Sequence, residues 1–130
     1  MSDDEKFNIP DEVHEWLGLK KSEYLSKLIE NQLTDDFGFE EFHLFDHKIQ
    51  ETVEFPDRSF EEILDGYPVR TYFKTYSDSK MIHHVVIGTI YEDKENKVEV
   101  FIPILTFVTR KEELLGIFSV GKAVTKPTLN

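Results

Sequence analysis

The apolar residues of this 130-residue chain are most concentrated between residues 81 and 108. That stretch reads MIHHVVIGTIYEDKENKVEVFIPILTFV, with runs rich in Val, Ile, Thr, Phe and Tyr on both sides of a polar loop at residues 92–96. β-Branched runs joined by a short polar loop are typical of two antiparallel strands. The pattern therefore predicts a hairpin at the centre of the fold, with Asn96 in the left-handed conformation that such loops often need.

The second strand of this hairpin is predicted to have two apolar faces. Strict alternation places the even-numbered residues from Val98 to Val108 on one face and the odd-numbered residues from Glu99 to Phe107 on the other. A strand of this kind is expected to be covered on both sides. Pro103 has no amide proton to donate, which predicts an edge position or a bulge. An apolar strand at an open edge also predicts a homodimer through residues 98–108.

Helical periodicity dominates the first third of the chain. Pro10 suits a first helical turn, and apolar residues then recur at spacings of three and four up to Gly18, which predicts a short amphipathic helix. A second amphipathic helix is predicted over residues 22–33. Both helices are expected to pack on the sheet that contains the central hairpin.

The middle of the chain mixes strand and helix signals. Apolar residues spaced among polar ones over residues 39–55 predict one long bent strand or a hairpin. Ser59 and Glu62 have the spacing of a capping box, which predicts a short helix that ends at Gly66. Alternation over residues 69–76 predicts a half-buried strand that turns into the central hairpin.

Taken in order, these elements predict one α+β domain over residues 1–130, with N-terminal helices packed on a curved antiparallel sheet of roughly four to six strands. A last short helix is predicted over residues 109–116. The terminal residues 1–8 and 126–130 are expected to be mobile. The element order resembles the NTF2-like cone, with a cystatin-like fold as the alternative. The cone resemblance implies a pocket between sheet and helices that binds a small molecule or holds an active site.

Charge adds a functional expectation to this fold. The net charge is −11, and residues 1–66 hold 19 acidic and 6 basic residues, whereas residues 67–130 hold 7 and 9. Such a field repels phosphate backbones, so no direct nucleic-acid binding is expected and a basic protein partner is favoured. Ordinary solubility is the alternative explanation of the charge. The residues predicted to form an acidic docking surface are Asp35, Asp36, Glu40, Glu41, Glu61, Glu62 and Asp65.

The function predicted from the sequence is therefore a small acidic protein-interaction module. It would act as an inhibitor, an immunity protein or a chaperone-like binder of a basic site on another protein, with a surface that imitates nucleic acid. The alternative is the small-molecule binder or enzyme that the NTF2-like resemblance implies.

No catalytic residue, metal ligand or cofactor is predicted. The chain has no cysteine, which excludes disulfides, thiolate metal sites and a catalytic thiol. His43 and His47 lie roughly 13 Å apart in an extended strand, so one ion would need His83 or His84 beside one of them. Carboxylates that are adjacent in sequence diverge, which disfavours a catalytic dyad. No phosphate-binding glycine motif or nucleophile elbow occurs.

The sequence also bears on location. The first ten residues, MSDDEKFNIP, lack the apolar core of a signal peptide. No stretch approaches the ~18 consecutive apolar residues that a membrane span needs. Together with the absence of cysteine, this pattern predicts a cytoplasmic protein without a membrane partner.

Overall fold

A computed structural model describes the chain over residues 9–32, 35–77 and 81–124. It shows the predicted α+β class, with helices packed on one open antiparallel sheet of five strands. The predicted mobile ends, residues 1–8 and 126–130, lie outside the described residues. In chain order the elements are helix α1 (Asp11–Asn31), a 3₁₀ helix (Phe39–Lys48), helix α2 (Ile49–Glu54), strands β1 (Arg58–Leu64), β2 (Tyr67–Ser77), β3 (Met81–Asp93) and β4 (Val98–Thr109), helix α3 (Glu112–Ile117) and strand β5 (Lys122–Ala123).

The central hairpin is confirmed, since β3 and β4 pair antiparallel along most of their length. The strand order is β4-β3-β2-β1-β5, so β1 to β4 form a meander and β4 is an edge strand. The left-handed residue of the β3–β4 turn is Lys97, with φ 56°, and not Asn96 as predicted. Asn96 instead donates a side-chain hydrogen bond to Asp93 at 2.6 Å, which holds the turn from inside.

The edge strand contains the bulge that Pro103 predicts. Pro103 lies opposite Gly88 and Leu105 lies opposite Ile87, which leaves Ile104 as the extra residue of β4. A bulge shifts the alternation of side chains by one position. Leu105 therefore shares a face with Ile102, and the prediction of strict alternation along the whole strand is wrong beyond Pro103.

The sheet has an inner face, which α1 covers, and an outer face on the opposite side. The inner face carries the row Phe73, Val85 and Phe107, which are directly opposite one another on β2, β3 and β4 and are almost fully buried. Leu28 of α1 and Phe118, which follows α3, complete the same buried cluster. The main hydrophobic core thus lies between the inner face and the helices α1 and α3.

Helix α1 is longer than predicted. The two expected helices form one continuous helix, and Gly18 lies inside it instead of ending it. A glycine within a helix costs about 1 kcal/mol relative to alanine, which a long helix packed on a sheet tolerates. Among the described residues, no helix combines the length and apolarity needed to cross a membrane.

The prediction of a strand or hairpin over residues 39–55 is wrong. Residues 39–54 are helical, first as the 3₁₀ helix and then as α2. The 3₁₀ helix begins with a capping interaction in which the Gly38 amide donates to the Glu41 carboxylate at 2.8 Å. Phe39, Phe42 and Phe45 recur every three residues, which matches three residues per 3₁₀ turn.

The helical residues 39–54 pass from one face of the sheet to the other. Phe42 packs on the inner-face residue Phe107, with ring centroids 5.9 Å apart. Phe45 packs on the outer-face residue His84, with ring centroids 5.7 Å apart. The 3₁₀ helix therefore packs beside β4 and leads the chain to α2 on the outer face.

The prediction of a helix over residues 59–66 is also wrong, because these residues form β1 and the turn after it. Ser59 is buried opposite Tyr72 and does not cap a helix. Asp65 and Gly66 both have positive φ, 54° and 87°. An Asp-Gly pair with two left-handed residues is a strong hairpin signal, and here it outweighs the capping-box spacing.

Candidate functional site: the open half of the outer face

The outer face of the sheet is covered at one end and open at the other. At the covered end, α2 packs on β2 and β3. Towards the β3–β4 turn, the side chain of Ile63 on β1 is 61% exposed, and Pro68, Ile90 and Phe101 are half-buried. We call this exposed region of the outer face, which lies beside a cleft, the open half.

Four apolar residues form one row across this open half, and we call them the apolar row. The pairing places Ile63 opposite Pro68 and Ile90 opposite Phe101, and the β2–β3 register continues from Val69–Thr89 to bring Pro68 beside Ile90. The row therefore consists of Ile63, Pro68, Ile90 and Phe101, one residue from each of β1 to β4.

Gly88 allows Phe101 to lie flat on the outer face. A Cβ atom at position 88 would overlap the Phe101 ring and the Ile102 carbonyl. The same ring meets Tyr72 edge to face, with centroids 5.6 Å apart. The glycine thus positions an aromatic surface in the middle of the open half.

Two carboxylates border the apolar row. Glu92 on β3 lies directly opposite Glu99 on β4, and both are exposed. Like charges directly opposite each other in an antiparallel pair are destabilising by roughly 0.2–1 kcal/mol. Within residues 9–32, 35–77 and 81–124, neither has a cationic partner within 4 Å; the ion pairs there involve other acidic residues. We call Glu92 and Glu99 the carboxylate pair.

A cleft of about 610 Å³ lies next to the carboxylate pair. The cleft forms because the pairing of β2 with β3 begins at Val69, opposite Thr89. Strand β3 continues past this point to Asp93 without pairing to β2. Pro68 contributes to this divergence because it has no amide proton for the ladder. The lining residues are Gly66, Tyr67, Pro68, Ile90, Tyr91, Glu92, Asp93, Lys94, Glu95 and Glu99.

Helix α1 braces the wall of this cleft from the inner side. The Trp16 ring packs on Tyr67 with centroids 4.6 Å apart, and its indole Nε1 donates to the Asp65 carboxylate at 2.8 Å. The Lys20 ammonium lies 3.6 Å from the same carboxylate. Asp65, one of the predicted docking residues, therefore has an internal role in holding the β1–β2 turn.

Four of the predicted docking residues lie near the end of β4. Asp36 accepts hydrogen bonds from the Thr109 hydroxyl and, at 2.8 Å, from the Arg110 amide. Glu41 caps the 3₁₀ helix through Gly38. Asp35 and Glu40 are exposed in the same region. This group thus offers two exposed carboxylates and two that also stabilise local structure.

The other predicted docking residues lie on or next to β1. Glu61 pairs with Arg70 at 2.7 Å on the outer face, and Glu62 points to the inner face opposite Val69. There, burial and the Glu62 charge raise the pKa of Tyr24 to about 12. Because β2 and β3 lie between β1 and β4, the spacing of the strands separates the two groups by roughly 14 Å or more.

A buried polar cluster lies beneath α2 at the covered end of the outer face. The Thr52 hydroxyl is 2.7 Å from His84 Nδ1 and 3.0 Å from the Tyr76 hydroxyl. Burial, with a smaller contribution from His47, lowers the pKa of His84 to about 4. Thr52 and His84 are fully buried, so this arrangement anchors α2 and is closed to a substrate. No group of three or more potential metal ligands occurs in the described ranges.

The sequence prediction missed the carboxylate pair and the apolar row. The signal was present in the hairpin itself, because a turn at residues 94–97 places residue 92 opposite residue 99. The density of acidic residues along the chain instead favoured a docking surface within residues 35–65. Comparison with protein-family models, with curated proteins and with solved structures finds no match for this chain.

Proposed function

We propose that this protein is a small acidic interaction module that binds a basic segment of a partner protein at the open half of the outer face. The observation that carries the proposal is the carboxylate pair, Glu92 opposite Glu99, for which the described residues supply no cationic partner within 4 Å. The pair is locally unfavourable, and such departures from local rules concentrate at functional sites. A cation from a partner placed between the two carboxylates would remove the repulsion and add charge-assisted hydrogen bonds.

The net charge of the chain supports the same partner chemistry. A charge of −11 attracts a basic partner over a distance and raises its association rate. Exposed residues such as Asp35 and Glu40 would contribute to this field without contacting the partner. The acidic surface predicted from the sequence then has a steering role, whereas the contact itself is made beside the cleft.

The alternative of a pocket between the sheet and the helices gains no support from the inner face. That space holds buried side chains of α1 and the sheet, including Tyr24, Leu28 and Phe73. The cleft of about 610 Å³ lies at the end of the sheet, between two turns, and its rim is acidic. A binding cleft for a charged segment agrees with this position better than an enclosed pocket for a small apolar ligand.

The first prediction is that Glu99→Lys stabilises the protein and abolishes binding of basic peptides. The new lysine would lie opposite Glu92, so a repulsive cross-strand pair becomes an attractive one that contributes roughly 0.2–1 kcal/mol. Chemical denaturation measures the stability. Fluorescence anisotropy with a fluorescein-labelled peptide of alternating arginine and leucine measures the binding.

The matched control is Glu12→Lys, which makes the same change of charge at an exposed position in the first turn of α1. It should reduce the association rate slightly through the weaker field and leave the bound complex intact. A second control reverses Asp35 and Glu40 together. If that double reversal removes peptide binding while Glu99→Lys preserves it, the binding surface is the acidic group at residues 35–41 and the proposal is wrong.

A further inference from the structure

We infer that the partner segment bound at the open half inserts an arginine side chain into the cleft beside the carboxylate pair and lays apolar side chains on the apolar row. This inference rests on the proposed function and specifies its ligand. It identifies the partner by chemistry: a basic segment in which arginine and apolar residues occur close together.

The carboxylate pair favours a guanidinium group over an ammonium group. Side chains directly opposite each other on antiparallel strands have Cβ atoms roughly 5 Å apart, so Glu92 and Glu99 present two acceptors side by side. A guanidinium is a planar fork with five N–H donors and can bond both carboxylates at once. An ammonium is a compact, strongly hydrated point charge that gains less from two separated acceptors.

The cleft suits the length and the apolar stem of arginine. Its lining combines Pro68, Ile90 and Tyr91 with four carboxylates and one cation, Lys94, so apolar surface and a net negative charge occur in the same cleft. Arginine buries its methylene stem along apolar surface while its charged head reaches polar partners.

The apolar row supplies the second contact, and charge repulsion disfavours a second copy of this chain as its occupant. Ile63, 61% exposed, would pack against apolar side chains of a partner. In a symmetric dimer the same patch meets itself, so two carboxylate pairs would approach each other on two chains of net charge −11 each. A basic partner satisfies both the apolar row and the carboxylate pair.

The experiment compares three labelled peptides in which leucine alternates with a second residue. That residue is arginine in the first peptide, lysine in the second and neutral citrulline in the third. Anisotropy titrations would use the wild-type protein, Glu92→Gln, Ile63→Ser and the control Leu19→Ser, which removes a similarly exposed apolar residue from α1. We expect the arginine peptide to bind at least about tenfold more tightly than the lysine peptide. The citrulline peptide should not bind, and Glu92→Gln should remove the preference for the arginine peptide over the lysine peptide.

The outcomes separate this inference from the proposed function. Equal binding of arginine and lysine peptides, both weakened by Glu92→Gln, overturns the arginine inference while basic-segment binding stands. Equal loss in Ile63→Ser and Leu19→Ser overturns the role of the apolar row. Analytical ultracentrifugation measures self-association. If the wild-type protein is a dimer and Ile63→Ser is a monomer, the apolar row is a self-association surface and the inference is overturned. Absence of binding by every cationic peptide overturns the proposed function itself.

Discussion

Replacement of Ile104 by aspartate should unfold the protein at 25 °C. Ile104 is the extra residue of the β4 bulge, its side chain is 5% exposed, and it belongs to the main core. An aspartate there would leave a carboxylate without water or a partner cation, which costs several kcal/mol. Domains of this size have about 5–15 kcal/mol of stability in total, so one buried charge is enough to unfold a domain in the lower part of that range. Circular dichroism and denaturant titration measure the loss.

Two control variants test whether the loss of stability requires a charge at the buried position 104. Val98→Asp places the same charge on the same strand at a side chain that is 41% exposed, and its cost should stay within about 1 kcal/mol. Ile104→Val removes one methylene from the core and should cost about 1 kcal/mol. A folded Ile104→Asp protein with the stability of Val98→Asp would show that the bulge residue points to solvent.

The second large effect is a loss of stability in mild acid through His84. Burial lowers the pKa of this histidine to about 4, from an ordinary value of 6.5, so the folded state holds the ring neutral. The unfolded chain takes up the proton first, so the stabilisation is complete above pH 6.5 and is lost as the pH falls towards 4. A difference of this size corresponds to about 3 kcal/mol. Denaturant titrations at a series of pH values measure it.

The comparison variants are His84→Gln and His43→Gln. Carboxylates also titrate near pH 4, so the contribution of His84 is the difference between the pH profiles of wild type and His84→Gln. His84→Gln should be less stable at pH 7, because Thr52 loses the imidazole that accepts or donates its hydrogen bond. Its profile between pH 6.5 and 4 should be flatter. His43 is exposed, and if its replacement flattens the profile equally, His84 is not the group responsible.

The sequence predicts the sheet where the local signal and the tertiary environment agree. The hairpin of β3 and β4 combines β-branched runs with a polar turn, and both are independent of the rest of the fold. Pro103 is informative because a missing amide proton limits its position in any sheet. This residue predicted an edge position or a bulge, and β4 has both.

The errors occur where a local pattern is ambiguous or is outweighed. Ser59 and Glu62 have the spacing of a capping box, yet the Asp65–Gly66 turn and the pairing with β2 make the segment a strand. The spacing of Phe42 and Phe45 resembles that of a bent strand until contacts with both faces of the sheet are known. Neither contact partner can be identified from neighbouring residues in the sequence.

The site was harder to predict than the fold, because it depends on register between strands. Glu92 and Glu99 belong to the less acidic half of the chain, and only their pairing brings the two charges together. The row of Ile63, Pro68, Ile90 and Phe101 likewise draws one residue from each of four strands. Charge counted along the chain favours a basic partner but does not predict the place of contact.

The most direct test of the open half as the binding surface is an NMR titration of the ¹⁵N-labelled protein with the arginine–leucine peptide. If the peptide binds at the open half, amide shifts will change in a contiguous group at residues 63–68, 90–93 and 99–101, which surround the cleft and the apolar row. The amides of residues 35–41 should remain unchanged. Shift changes confined to residues 35–41, with none around Glu92 and Glu99, would contradict binding at the open half.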